Sequence, residues 1–557
     1  MKPTLLLSLL LATALAGAQA ASTPDTIYVH GNILTGTHLT AGDTSRTPER
    51  VTALAVAHGK IVAAGTDADV LKRKGPQTKI IDLKGAFAMP GFIDAHTHIA
   101  GAGQQKLAID LDGTRSLEEM QQRIRDFAAK APAGVWLQGG GWDHTKWASK
   151  KLPTRQDIDA VTAGHPAILE RTDGHILIAN SAALAAAGIT NTTPDPPGGK
   201  IDHAADGSLT GIVREGPAMS FLTRVIPPPA PEMRRKALLL AIDDALAHGV
   251  TTVEDISDWD DFLVLEDLER HGQLHLRVTE ALRFDAPLDT LKKERASHSA
   301  NDSLLRTGML KGYMDGSLGS RTAALAAPYA DDPGNSGIPR YEQSKLDVMA
   351  KERATEGFQL GFHAIGDRAN HMALDAFHAA GVTPARRFRI EHAQVLLPSD
   401  FDLYAKLGVI ASMQPSHLLT DMNWAEERLG PERIHSSYAW RSMLQHHIPL
   451  AFGTDYPVES IDPFRGLYAA ITRQNEAGTK TYVPEEKLTL HEAIYAYTQG
   501  SAFAAFREHD LGRLEPGFYA DLVVLDRDIT KASPQQLLHT KVVQTIVGGE
   551  TIYTAGK

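Results

Sequence analysis

Between residues 89 and 509, short apolar runs alternate with helical stretches, and this pattern limits the fold more tightly than anything else in the chain. The runs fall at 91–98, 250–255, 276–282, 309–314, 360–365, 389–392, 409–414 and 450–455. Strands buried on both faces read as near-continuous apolar runs, and strands joined through helices lie parallel. Eight of them predict an α/β protein built on a (β/α)8 TIM-type barrel, here spanning 89–509. That stretch is longer than the roughly 250 residues of a plain barrel. The surplus lies between the first and second runs, at 100–245, with strand-like pieces of its own at 135–138, 167–170 and 209–213. Its breakers include Pro194, Pro196, Pro197, Gly198 and Gly199, so the segment reads as an inserted subdomain on the catalytic face.

The two ends of the chain share a different style. Residues 51–57 and 61–64 flank His58-Gly59, a hairpin signal, and 521–525, 542–547 and 551–553 repeat short β-type runs around Gly548-Gly549. Neither set buries a sheet face alone. One small β-sandwich assembled from 21–88 and 510–557 is therefore expected. Ahead of it, Lys2, an apolar run over 5–15 and Ala18-Gln19-Ala20 read as a signal peptide, 1–20, cut after Ala20. This predicts a periplasmic or secreted protein, with no membrane span left once the signal is removed.

Composition narrows the chemistry. The 557 residues carry 56 Lys+Arg against 67 Asp+Glu, a net charge of −11 with no basic stripe, which argues against nucleic-acid binding. There are no cysteines, so thiolate nucleophiles, Fe–S clusters and Cys-type zinc sites are excluded together. No G-x-S-x-G elbow or P-loop occurs, and His491-Glu492 lacks a second histidine four residues on, where Tyr495 stands. What remains is nitrogen and oxygen. Active sites of such barrels form at the C-terminal ends of the strands. The first run ends in His96-Thr97-His98, two histidines on one side of a strand; Lys311 lies in the fourth, His363 and His392 end the fifth and sixth, and Asp455 ends the eighth. Imidazole and carboxylate suit Zn²⁺, and less specifically Mn²⁺, Fe²⁺ or Ni²⁺. A lysine ammonium repels a dication. Lys311 belongs in such a set only as a neutral amine carboxylated by CO₂; otherwise it orients substrate or pairs with Asp315.

These residues sit in motifs that resemble the amidohydrolase superfamily, specifically its YtcJ-like branch, which includes N-substituted formamide deformylases. The carriers are Pro90-Gly91-Phe92-Ile93-Asp94-Ala95-His96-Thr97-His98, Lys311-Gly312-Tyr313-Met314-Asp315-Gly316, His363-Ala364-Ile365-Gly366-Asp367, Ile390-Glu391-His392-Ala393-Gln394 and Gly453-Thr454-Asp455-Tyr456-Pro457. The resemblance implies a sandwich plus a metal-dependent hydrolase barrel holding one or two divalent ions, Zn²⁺ foremost. His96 and His98 would hold the more buried ion, Lys311 would bridge as a carboxylated lysine, and His363 and His392 would hold the second. Asp455 would bind metal and carry the proton, making Asp455 and Lys311 the catalytic pair. The implied reaction is hydrolysis of a carbon–nitrogen bond other than a peptide bond in a small-molecule amide. An ester, lactone or phosphotriester cleaved at the same site, or a binding protein without turnover, are the rival readings. Homo-oligomer formation stays open. Candidate substrate-binding residues are Trp142, as an apolar wall or as core; Arg171 and His175, after strand-like runs of the insertion; Arg321, as a carboxylate contact or a salt bridge; and Gln414 and His417, after the seventh run.

Overall fold

The computed structural model describes residues 23–42, 46–172, 174–196 and 198–556; the expected signal peptide lies outside them. Eight strands form one sheet: β1 (Phe92–Thr97), β2 (Val250–Asp255), β3 (Arg277–Arg283), β4 (Leu305–Tyr313), β5 (Leu360–Ala364), β6 (Arg389–His392), β7 (Ile410–Met413) and β8 (Leu450–Phe452). They follow one another around the sheet in chain order, each pair parallel. The last meets the first at the rim. There the Asp455 amide donates to the His96 carbonyl (2.8 Å), and the His98 amide donates to the Tyr456 carbonyl (2.7 Å). Helices cover the outside, and one continuous apolar core fills the space between them and the strands.

Two strand limits differ from expectation by more than one residue. β8 stops at Phe452 because Asp455 takes a left-handed conformation (φ 60°) and leaves the ladder as part of the rim. β4 starts at Leu305 rather than 309, since its first turn, Leu305-Arg306-Thr307-Gly308, is too polar to read as a buried strand.

The chain ends build two further sheets. One has four strands, in the order Lys60–Gly65, Ala53–Ala57, Thr26–Val29, Lys79–Asp82. His58 and Gly59 both have positive φ (50° and 75°), the conformation a two-residue hairpin turn requires. The other has six strands, with Leu522–Leu525 set antiparallel between Phe87–Pro90 and Val542–Val547. Tyr28, Leu54, Ile61, Leu522, Val524 and Ile546 are buried between the two sheets. This unit is joined to the barrel by the chain and by an ion pair. Phe87–Pro90 runs through Gly91 straight into β1, and Arg277 at the start of β3 grips buried Asp521 through Nε (2.6 Å) and Nη2 (2.9 Å).

The segment after β1 carries its own six-stranded sheet, from Ile109–Asp110 at one edge to Lys200–His203 at the other, with separate apolar clusters on its faces. Three consecutive glycines, Gly139-Gly140-Gly141, lie inside the strand Leu137–Trp142. A Cβ on Gly139 would stand 2.3 Å from the Ile109 carbonyl oxygen, so the close approach of these strands requires glycine. Among the described residues no helix is long and apolar enough to cross a membrane.

Candidate metal centre

At the C-terminal rim of the barrel, Asp455 stands between two pairs of histidines. Its Oδ1 faces His98 Nε2 at 3.2 Å and His96 Nε2 at 3.5 Å, while Oδ2 faces His417 Nε2 at 3.5 Å. One ligand atom from each of His96, His98 and Asp455 falls within 4.8 Å of the others, and the same holds for His392, His417 and Asp455. The barrel seam makes this possible. A Cβ on Gly453 would meet Asp94 Oδ1 at 2.6 Å and the His96 amide nitrogen at 2.7 Å, so glycine lets β8 press against β1 and brings Asp455 over the histidine pair. Asp94 locks the seam by accepting from the Thr454 amide (2.9 Å), the Thr454 hydroxyl (2.6 Å) and the His96 amide (3.1 Å). Burial nevertheless pushes its carboxyl up to about 7.

Hydrogen bonds set the ring tautomers. His98 donates from Nδ1 to the Ile256 carbonyl (2.9 Å), and His96 donates from Nδ1 to Glu391 (2.6 Å), so Nε2 is the nitrogen each neutral ring has left to bind a cation beside Asp455. A histidine whose other nitrogen is held by a carboxylate is the usual arrangement around a metal. Burial, with Lys311 adding to it, lowers His96 to about 4. Burial together with the rings of His363 and His96 holds His392 well below the normal range. Both are neutral at pH 7, as ligands must be. Burial opposes the Asp455 carboxylate, yet His96, His98, His392 and His417 together hold its pKa well below the ordinary value. Buried His392 Nδ1 and His417 Nε2 make no hydrogen bond. Orphaned ring nitrogens around a carboxylate fit a divalent cation.

Lys311 is buried, with Nζ 3.0 Å from His96 Nε2, to which it donates. Burial lowers its pKa to about 8, against the pull of Glu391 and Asp455. It does not pair with Asp315, whose carboxylate is taken up by the amides of Ala324 (2.9 Å), Ile365 (3.1 Å) and Gly366 (2.8 Å). His363 packs its ring against His392, with centroids 4.5 Å apart, but turns Nε2 to the Gly316 carbonyl (3.0 Å). The nitrogen that joins His392 and Asp455 is therefore that of His417, which the sequence suggested only as a substrate contact.

Beneath the histidines the barrel is filled with charge. Arg389 is fully buried, bonded through Nη1 to Glu254 (2.6 Å), through Nε to Glu391, and through Nη2 to the Ala95 carbonyl (2.5 Å). Glu391 thus passes from Arg389 to His96. Burial works against its charge, but Arg389 and His96 hold it well below the usual carboxylate range. Burial pushes Glu254 up to about 7 despite its guanidinium partner. Sequence reasoning gave no role to Arg389, Glu254 or Glu391. The available signal was the alternation Arg389-Ile390-Glu391-His392, which puts two opposite charges on the same side of a central strand.

Several expected substrate contacts are engaged with protein partners. Trp142 is core, not a wall: it is buried in the insertion and donates Nε1–H to the Leu169 carbonyl (3.0 Å). Arg171 pairs with Asp143 (2.9 Å), and His175 is exposed beside Glu215 (3.0 Å). Arg321 takes the salt-bridge alternative, bound to Asp331 through two nitrogens (3.2 and 2.8 Å). Gln414 is buried and donates to the Ser412 carbonyl (3.3 Å), next to the site but engaged with its own strand. The centre opens onto a cleft of about 490 Å³ lined by strand ends and loops of the barrel, including His98, Arg283, Lys311, Tyr313, Arg340 and Tyr341.

Comparison with known proteins matches this architecture. The model of the amidohydrolase family fits residues 79–553. Protein LONG AFTER FAR-RED 3 of Arabidopsis thaliana is 33% identical over 90% of this chain and 88% of its own length. The putative amidohydrolase YtcJ of Bacillus subtilis is 31% identical over 91% and 96%. An N-substituted formamide deformylase of Arthrobacter pascens is 27% identical over 90% and 94%. Among solved structures, an uncharacterized metal-dependent hydrolase from Pyrococcus horikoshii superposes with a TM-score of 0.77 at 29% identity, over 91% of this chain and 99% of that one. With the barrel, the rim histidines and a family match over most of its length, the chain belongs to the amidohydrolase family of metal-dependent hydrolases.

Proposed function

We propose that the protein hydrolyses a non-peptide carbon–nitrogen bond in a small amide or N-acyl compound, using metal held by the rim residues. The observation that carries this reading is Asp455, whose Oδ1 faces His98 and His96 and whose Oδ2 faces His417, beside a cleft that His98 and Lys311 line. His96, His98 and Asp455 would hold one ion; His392, His417 and the other Asp455 oxygen are the donors for a second. Such an ion supplies Lewis acidity, lowering the pKa of water from 15.7 to about 7 and polarising the scissile carbonyl. Asp455 accepts the proton of the attacking water and delivers it to the departing nitrogen, which leaves poorly as an anion. Glu391 keeps His96 in the tautomer whose Nε2 faces the centre. With a pKa of about 8, Lys311 has a neutral fraction near pH 7. Its nitrogen can add to CO₂ and lose a proton, giving a carbamate and turning a buried cation into a carboxylate ligand. The resemblance to a formamide deformylase supports an acyl or formyl amide as substrate. Export to the periplasm or beyond rests on the signal-like sequence ending at Ala20.

The cleft adds a preference. Arg340 lines it with its guanidinium 5.6 Å from the Tyr313 ring centre and, among the described residues, without an ion-pair partner. An N-acyl compound bearing a carboxylate, such as an N-acyl amino acid, offers the missing charge. Arg340→Met is expected to raise KM for N-acyl amino acids roughly tenfold or more, the loss of one charge-assisted hydrogen bond, and to leave uncharged N-formyl amines near wild type. Equal KM changes for both substrate types would remove the assignment. The function itself is tested on purified protein with N-formyl, N-acyl-amino-acid and cyclic amides beside esters, lactones and paraoxon. Amide turnover is expected to vanish on chelation and return with Zn²⁺. Turnover of esters or phosphotriesters alone, or amide turnover indifferent to chelators, would overturn the proposal.

A further inference from the structure

At the end of the barrel opposite the rim lies a second set of metal-type donors. His298 sits between the helix Trp259–Arg270, which returns from the end of β2, and the turn that enters β4. Its side chain is only 10% exposed. Nδ1 donates to Glu266 Oε1 (3.1 Å), which fixes the tautomer and leaves Nε2 with a lone pair. Phe262, one helical turn before Glu266, meets the ring edge-on with centroids 5.6 Å apart. Buried Nε2 makes no hydrogen bond. It points between two carboxylates, 3.6 Å from Glu269 Oε2 and 3.9 Å from Asp302 Oδ2. Asp302 is itself fixed, because its Oδ1 accepts from the amides of Leu304 (2.7 Å) and Leu305 (3.1 Å). Donor atoms of Glu269, His298 and Asp302 all lie within 4.8 Å of one another.

We propose that Glu269, His298 and Asp302 form a second divalent-cation site, of Zn²⁺ type, that ties the helix to the start of β4 and is separate from the catalytic centre. Three arguments converge. Zinc ligands at about 2.1 Å in tetrahedral geometry stand about 3.4 Å from one another, near the two separations observed here. Glu266, His298 and the site make the carboxylate–histidine–metal series in which the outer carboxylate orients the ring. Without an ion, burial and a hydrogen bond to Asp302 raise Glu269 to about 7; a dication would replace that shared proton, balancing the two negative charges of the ionised carboxylates beside a neutral imidazole. The competing arrangement is an imidazolium held by its acidic neighbours without metal. A protonated Nε2 would close on one carboxylate to about 2.8 Å, whereas this nitrogen stands off from both.

The test is metal stoichiometry. Metal-stripped wild type, His298→Ala and Glu269→Gln are titrated with Zn²⁺ against a chromophoric chelator, with thermal unfolding followed in parallel. Each variant is expected to bind one ion fewer than wild type and to gain less in Tm from Zn²⁺. Each is also expected to keep wild-type kcat on the same amide at saturating metal. Glu266→Gln is expected to keep the stoichiometry with roughly 10–100-fold weaker affinity. Folded variants that bind as many ions as wild type would overturn the site. Should His298→Ala fail to fold, isosteric Glu269→Gln decides alone. Because the readout is ion count with activity preserved, a failure here is distinguishable from a failure of the rim.

Discussion

Asp455→Asn is expected to lower kcat roughly 10³-fold or more while the fold, read by circular dichroism, stays as in wild type. The side chain keeps its shape and one oxygen, but an amide neither accepts the proton of the attacking water nor returns it to the leaving nitrogen. Asn also removes the negative charge shared by His96, His98, His392 and His417. Metal content should therefore fall with activity, though less steeply, because the histidines remain. Activity restored by excess Zn²⁺ to within tenfold of wild type would make Asp455 a ligand only and end its role in proton transfer.

Arg389→Met is expected to be the most damaging single change to stability, costing about 3–5 kcal/mol. Methionine fills much of the volume, but Glu254 and Glu391 are then left in a dry barrel without their shared cation. The midpoint of chemical unfolding should drop accordingly, and Zn²⁺ affinity should weaken as well, because Glu391, which orients His96, loses the guanidinium that most strongly holds it charged. Adding Glu254→Gln should restore part of the stability, as one stranded charge is removed. A midpoint within experimental error of wild type for Arg389→Met would mean that the network contributes nothing net.

Much of this was legible in the residues. Each of the eight strands lies within a few positions of its apolar run, because parallel strands covered on both faces have no polar side to confuse the pattern. The rim cluster was legible for a related reason: His96, His98, Lys311, His392 and Asp455 stand at or near strand ends, and strand ends are fixed by the barrel. His417 was read only as a substrate contact because it follows β7 in a loop and short helix, where sequence spacing does not give direction. The insertion resisted for the same reason. Trp142 and Arg171 follow apolar runs, as site residues do, yet their strands belong to a sheet with its own core. Arg340 lies in an irregular stretch with no period at all, and nothing in sequence places it over the cleft.

The Tyr28 hydroxyl donates to the Gly549 carbonyl (2.9 Å) across a separation of 521 positions. During synthesis at 5–20 residues per second, the earliest strands wait roughly 25–100 s for their partners to leave the ribosome. Through that interval Phe87–Pro90 offers an unpaired edge exactly where Leu522–Leu525 will dock, an invitation to pair with a neighbouring nascent chain. Crowded translation or slow elongation should thus lower the yield of native protein more than any intrinsic weakness of the finished molecule would.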